Sequence, residues 1–276
     1  DIANAPSFNA LFHELESLSL AVYAPLAYVF PSRLDKYEDR YGNTGTARNR
    51  LGGAIGNLGA ASREKGIQKL MTVNLLKRLE SSVEAFRLTL QRLESTVQEA
   101  LDAIGDQAVT IKDLSPAFGD LDADDDDFDL PTSATVGKKG QVDLADIDVE
   151  SWRRDLELDL SIIAGLLAAI SGVTAEHDLK LRALEEHIEA KLANPINPGN
   201  HKILVFTAFT DTADYLYREL APWLSLKGFH SALVIGTGNP KTTLGKGYGF
   251  QQTLTLFSPR SKQRHLTMRN ETAEID

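Results

Sequence analysis

Leu76, Leu79, Val83, Phe86, Leu90, Leu93, Val97, Ala100 and Ile104 fall alternately three and four residues apart. A repeat of about 3.5 residues held this long lays one apolar stripe along a helix, and that stripe needs a second one to cover it. Val149, Trp152, Leu156, Ile163, Leu166 and Ile170 supply a matching stripe, with Asp159 as a polar interruption. Two such helices in one chain pair most simply as an antiparallel hairpin. A homodimeric coiled coil is the alternative.

Between the two stripes lies the segment 105–148, which contains the run DLDADDDDFD. Its charge is high and its apolar residues few, so burial cannot offset the entropy of ordering it, and a largely disordered linker is expected. Its aspartates lack the glycine and closing glutamate of a calcium-binding EF-hand loop, and a solvated linker is expected over a calcium site or an acidic DNA mimic. The whole chain carries a formal charge of −10, but residues 120–150 hold eleven acidic and two basic residues. Residues 202–264 hold eight basic against three acidic residues, a net +5 that permits phosphate binding.

The 276 residues, 42% hydrophobic, suffice for one or two domains. There is no cysteine, so disulfides and thiolate-ligated zinc are excluded. Apolar runs are shorter than the ~20 residues that a membrane span needs, so no membrane partner is expected and a soluble cytoplasmic protein is the default. The six histidines show no metal-ligand spacing, and His177 and His187 are expected at the surface.

Pro6 and Ser7 open a first amphipathic helix carrying Phe8, Leu11, Phe12, Leu15, Leu18 and Val22, which Pro25 should kink or end. Residues 34–41 predict a short helical turn, and the glycine-rich stretch 42–59 a loop or weak helix. A further helix begins near Thr174, presents Leu181, Leu184, Ile188 and Leu192 on one face, and ends at Asn194 and Pro195. The linker NPINPGNH places a domain boundary near residues 194–201, dividing a helical part, 1–200, from a second part, 201–276.

That second part opens with HKILVFTAFTDTADYLYRELAPWLSLKGFHSALVIGTG, residues 201–238. Residues 203–206 form an uninterrupted apolar run that suits a strand buried on both faces. Thr210 or Asp211 offers a helix cap, Ala213, Leu216, Tyr217, Leu220 and Leu224 keep helical spacing, and Gly228 marks the stop. A second apolar run, 232–235, follows. Strand, helix and strand with short joins predict a parallel βαβ unit, whose ligands sit at the carboxyl ends of the strands.

The segment KILVFTAFTDTADYLYREL resembles motif IV at the start of the second RecA-like lobe of superfamily-two helicase-like ATPases, in the chromatin-remodeller and bacterial RapA-like branch. ALVIGTG with Lys241, Thr242 and Thr243, and then LFSPRSKQR, is similar to the continuation of that lobe. More weakly, LLKRLESSVEAFRLTL resembles the arginine-containing helix after the first lobe. Another parallel α/β domain is the alternative. The resemblance implies an α/β fold with a large all-α part: a helical insertion with a coiled-coil hairpin, then a partial RecA-like parallel lobe. It implies a fragment of an ATP-dependent DNA helicase or translocase, cut from a longer polypeptide. ATP and Mg would be cofactors of the full-length parent, and none is expected in this piece. The implied partners are DNA or RNA and the first RecA-like lobe of the same polypeptide, with a protein partner for the hairpin. A coiled-coil interaction module on an α/β support, without catalysis, is the second reading.

Catalytic chemistry is missing. Residues 236–243 follow an apolar run, but the spacing is one residue short of a Walker phosphate loop and Pro240 stands at the second glycine. No apolar run ends in a metal-holding Asp-Glu pair, and no glutamine-glycine-arginine segment of motif VI occurs, so this piece is expected to be inactive alone. The resemblance does imply contacts to a nucleic-acid backbone from Thr207, Phe209, Thr210, Gly236, Thr237 and Lys241. Arg260, Lys262 and Arg264, after the cap-like pair Ser258 and Pro259, are further candidates.

Overall fold

In a computed structural model the chain is described at residues 7–34, 36–37, 60–105, 110–111, 142–236 and 238–276. The loop or weak helix expected at 42–59 and most of the acidic linker lie outside those residues. The described residues divide into two compact units, one within 7–80 and 86–172, the other within 81–85 and 173–276. Helix dominates, and the strands are short. No helix among the described residues is long and apolar enough to cross a membrane.

The larger unit begins with α1 (Phe8–Glu16), whose start is capped by Ser7 Oγ accepting from the Ala10 amide at 3.2 Å. The helix ends well before Pro25. Pro25 instead opens a 3-10 turn, Pro25–Tyr28, where its missing N–H costs nothing. Leu18 and Val22 are buried outside the helix.

The two stripes form α2 (Ala60–Ser81) with α3 (Val83–Gly105), and α4 (Val149–Ile170). The expected continuous helix is broken at Ser82, whose hydroxyl accepts the Ala85 amide at 3.0 Å and so caps α3. From Phe86 to Ile104 every stripe residue is buried, as are Trp152, Leu156, Asp159, Ile163, Leu166 and Ile170. The helices run antiparallel: Arg87, near the start of α3, donates from Nη2 to the carbonyl of Ile170, the last residue of α4, at 3.1 Å. Beyond the other end of α3, β1 (Thr110–Ile111) pairs antiparallel with β2 (Val142–Asp143) just before α4. The hairpin closes within one chain.

Asp159 is no mere interruption of the seam. Its Oδ1 accepts from the Ser19 amide at 2.7 Å, and its Oδ2 from the Ala21 amide at 2.8 Å and the Ser19 hydroxyl at 3.0 Å. The turn so held contains Leu20 in the left-handed region (φ 51°), with its side chain fully buried. Trp152 Nε1 donates to the Ala21 carbonyl at 3.0 Å on the same turn. Burial pushes the Asp159 carboxyl up from its ordinary range, while the donors around it pull the other way.

Residues 142–148, at the end of the linker expected over 105–148, are built into the fold where they meet α4. Val142 and Ile147 are buried, Asp148 caps α4 through the Ser151 amide at 3.2 Å, and Asp146 sits among Arg33, Lys36 and Tyr37. Apolar anchors and cationic partners give these residues what the aspartate run lacks. The Lys36 ammonium, and then the Tyr37 hydroxyl, hold the Asp146 carboxyl below its usual range. A carboxyl depressed in the folded state stabilises the fold above its unfolded pKa of ~3.9 and loses that contribution as the pH falls through the folded value. Asp146→Asn should therefore destabilise at neutral pH and matter less at about pH 3. Urea midpoints at both pH values test this; an equal loss at both would contradict it.

The smaller unit holds α5 (Leu179–Ala193), α6 (Thr210–Leu226), β3 (Ala232–Leu233), β4 (Lys241–Thr242), α7 (Phe250–Phe257) and α8 (Arg264–Thr267). Thr174 caps only a 3-10 turn, and α5 is capped by Asp178, which accepts from Lys180 and Leu181 amides at 2.9 and 3.1 Å. Leu181 and Ile188 pack with Tyr215 and Leu220 of α6 in one core. The smaller unit therefore includes α5 and takes in the chain from residue 173 onward.

The expected parallel strand pair does not form among the described residues. Residues 203–206 carry no ladder, and Leu204, Val205 and Phe206 are 63%, 44% and 86% exposed. β3 instead pairs antiparallel with β4, Leu233 facing Lys241 and Ala232 facing Thr242. An apolar run becomes a strand only when a neighbour offers backbone partners, and the tight return through Gly238 (φ 94°) brings β4 to β3 first. The α/β character with a large all-α part remains.

Candidate nucleic-acid interface

α6 is the element around which the candidate residues gather. It packs against β3, and its first residue, Thr210, follows a Phe209 held in extended conformation (φ −115°, ψ 129°). Neither Thr210 nor Asp211 is the cap, and Phe209 makes no side-chain cap bond. The Thr207 hydroxyl accepts from the Phe209 amide at 3.5 Å, a local bond that turns the chain into the helix. Asp211 lies in the first turn, where the helix dipole favours a negative charge. One turn in, Thr212 is buried and its hydroxyl meets Ser81 and Ser82 at 2.8 and 3.0 Å. The Ser82 break in the long helix is thus built into this unit.

The predicted residues separate into groups. Thr207 is half-exposed and Gly236 exposed, while Thr237 lies outside the described residues. The Phe209 ring is buried, which removes its side chain from any surface contact. Lys241 forms an ion pair with Asp214 of α6. Lys241 and Thr242 form β4 rather than the start of a helix, so the sequence 236–243 lacks the helix amides that a phosphate loop uses. Ser258 ends α7 instead of opening a helix, and a single turn carries Arg260 and Lys262 to α8.

Most of the local positive charge is already engaged. Lys202 pairs with Glu274 at 3.0 Å, Arg218 with Glu219 at 3.0 Å, Lys227 with Glu189 at 2.8 Å and Arg264 with Glu274 at 3.2 Å. Arg264 also donates to the Ala273 carbonyl at 2.7 Å, so it serves the fold. Among the described residues, Lys246, Arg260 and Lys262 are exposed and have no ion-pair partner. Lys246 is the residue that sequence reasoning missed. It stands between Gly245 and Gly247, both at φ above 100°, and the glycine spacing in TLGKGYGF was its only signal.

Chemically, this arrangement offers exposed cations and exposed backbone to an anion. Among the described residues no group of histidine and carboxylate side chains is placed to hold a metal. His177 and His187 are exposed. Tyr215 has its hydroxyl pKa pushed up, first by burial and then by Asp178, to which it donates at 3.0 Å; this is a core bond. No protein-family model matches the chain, and no curated protein or solved structure matches it significantly.

Proposed function

We propose that the chain is part of an ATP-dependent DNA helicase or translocase, contributing a helical insertion and the motif IV region of the second, RecA-like motor lobe. The observation that carries this reading is the order of elements in the smaller unit. An apolar segment, a turn through Thr207, the helix α6 and the strand β3 follow one another in the sequence that resembles motif IV, with α6 packed on β3. Exposed Lys246, Arg260 and Lys262 on the same unit suit a phosphate backbone. ATP and Mg would be held by other parts of the parent polypeptide, and closure of its two lobes would move the backbone contacts along one strand. The hairpin is an insertion in this reading. Its seam is buried within its own unit, which leaves the interaction-module reading without an open apolar stripe to recruit a partner.

The test is the flanking coding sequence. The reading requires a Walker A segment encoded upstream of Asp1 and an arginine-bearing motif VI downstream of Asp276. An open reading frame that lacks either one overturns it.

A further inference from the structure

We propose, on the basis of the nucleic-acid reading above, that the loop LGKGYGF, residues 244–250, is a stacking site for an unpaired nucleobase, which makes a single strand the form of nucleic acid bound. The loop interleaves one cation and two aromatic rings with glycines, and it carries no carboxylate. Lys246 is exposed and has no ion-pair partner among the described residues, and Phe250, the first residue of α7, is 49% exposed. A lone exposed ring signifies little, because folded surfaces carry much apolar area. An exposed ring four residues from an unopposed ammonium is the combination that single-strand binding uses. The cation meets the phosphate and the ring takes the base, whose π-face every nucleotide offers. A duplex keeps its base faces stacked inside and offers the ring none of them.

The loop is held at both ends and open in the middle. On one side the Thr242 hydroxyl donates to the Gly245 carbonyl at 3.0 Å, and the Gly245 amide to the Thr242 carbonyl at 3.3 Å. On the other, the Gly249 amide donates to Gln252 Oε1 at 2.7 Å and the Tyr248 hydroxyl to Glu271 Oε2 at 2.9 Å. Glu271 is itself fixed, since its Oε1 accepts from the Ala273 amide at 3.0 Å. Tyr248 is half-buried and tied by its hydroxyl, which leaves Phe250 as the more available ring. Phe250 stands on a fixed turn, so stacking a base on it costs little ordering of the backbone. Between the two ties, Gly245 and Gly247 have φ of 106° and 108°, and a β-carbon at either would meet nothing within 4 Å. That open space lets a phosphate approach the backbone beside Lys246.

Competition between two strands of equal length and charge tests the assignment: a short oligothymidylate, and the same strand with abasic sites in place of its bases. The intact chain at low salt should bind the thymidylate about tenfold more tightly, on the scale of stacking one base on an aromatic side chain. Phe250→Leu keeps apolar bulk on the first turn of α7 but removes the ring, and it should bring the two affinities together. Phe250→Trp should keep them apart. Equal binding of the two strands by the unaltered chain, or a preference that survives Phe250→Leu, overturns the stacking site and leaves the nucleic-acid reading standing. Binding of neither strand overturns that reading and the stacking site with it.

Discussion

Replacing Asp159 by leucine should destabilise the larger unit by about 3 kcal/mol, although leucine is the residue that a heptad seam would prefer at this position. The carboxylate accepts three bonds from Ser19 and Ala21, all at 3.0 Å or less, and the residue is 1% exposed. Leucine would fill the seam but orphan the buried Ala21 amide and the part-buried amide and hydroxyl of Ser19, the buried one costing about 1–3 kcal/mol, against which its added apolar burial returns only part. The turn it holds also keeps Leu20 at φ 51°, a conformation that a β-carbon disfavours and that survives only while its surroundings fix it. Asp159→Asn, which keeps one acceptor and turns the other into a donor facing donors, should fall between wild type and leucine. The pH dependence carries the opposite sign from Asp146. A carboxyl raised by burial contributes more stability as the pH falls toward its folded value, so the Asp159→Leu penalty does not shrink on mild acidification in the way the Asp146→Asn penalty does. Urea midpoints settle the matter. A neutral or stabilising Asp159→Leu would mean that the residue is an ordinary polar break in the seam.

Asp159 also marks the limit of what periodicity can reveal. The 3.5-residue spacing identifies which faces of α3 and α4 are buried, because that spacing is a property of the helix itself. It cannot reveal why a carboxylate sits in the stripe, because Ser19 and Ala21 lie about 140 residues away in sequence. Ser82 is similar. A serine in a helical pattern gives little sign of a break, and here its hydroxyl both caps α3 and meets Thr212 of α6. The run 203–206 shows the converse. Its composition is that of a strand, yet strand formation belongs to a pair of segments, and the return through Gly238 gives β3 to β4. Of the candidate site, the charge excess over 202–264 was legible. Which cations remain free was not, because Lys202, Lys227, Lys241 and Arg264 each find a carboxylate that no local spacing announces.

Nucleic-acid binding should therefore depend on the cations that the fold leaves unpaired. Removing Lys246, Arg260 and Lys262 should cost far more than removing Lys241, whose charge is already opposed by Asp214; Asp214→Asn should strengthen binding by releasing it. The seven aspartates between Asp120 and Asp129 set a repulsive field against the same ligand, and changing them to asparagine should strengthen binding while leaving the ordered residues from Val142 onward intact. The isolated chain should bind duplex DNA at the ~10⁻⁴ to 10⁻⁶ M typical of non-specific contacts.

The decisive measurement is the salt dependence of that affinity. Each phosphate neutralised by a cation contributes about −0.9 to the slope of log K against log salt on duplex DNA. Combined Lys246→Ala, Arg260→Ala and Lys262→Ala should shallow the slope by about 0.9 for each phosphate no longer neutralised, with Lys241→Ala leaving it nearly unchanged. A slope that the triple substitution does not alter would contradict the assignment of this surface to nucleic acid, and with it the proposal that this chain belongs to a DNA motor.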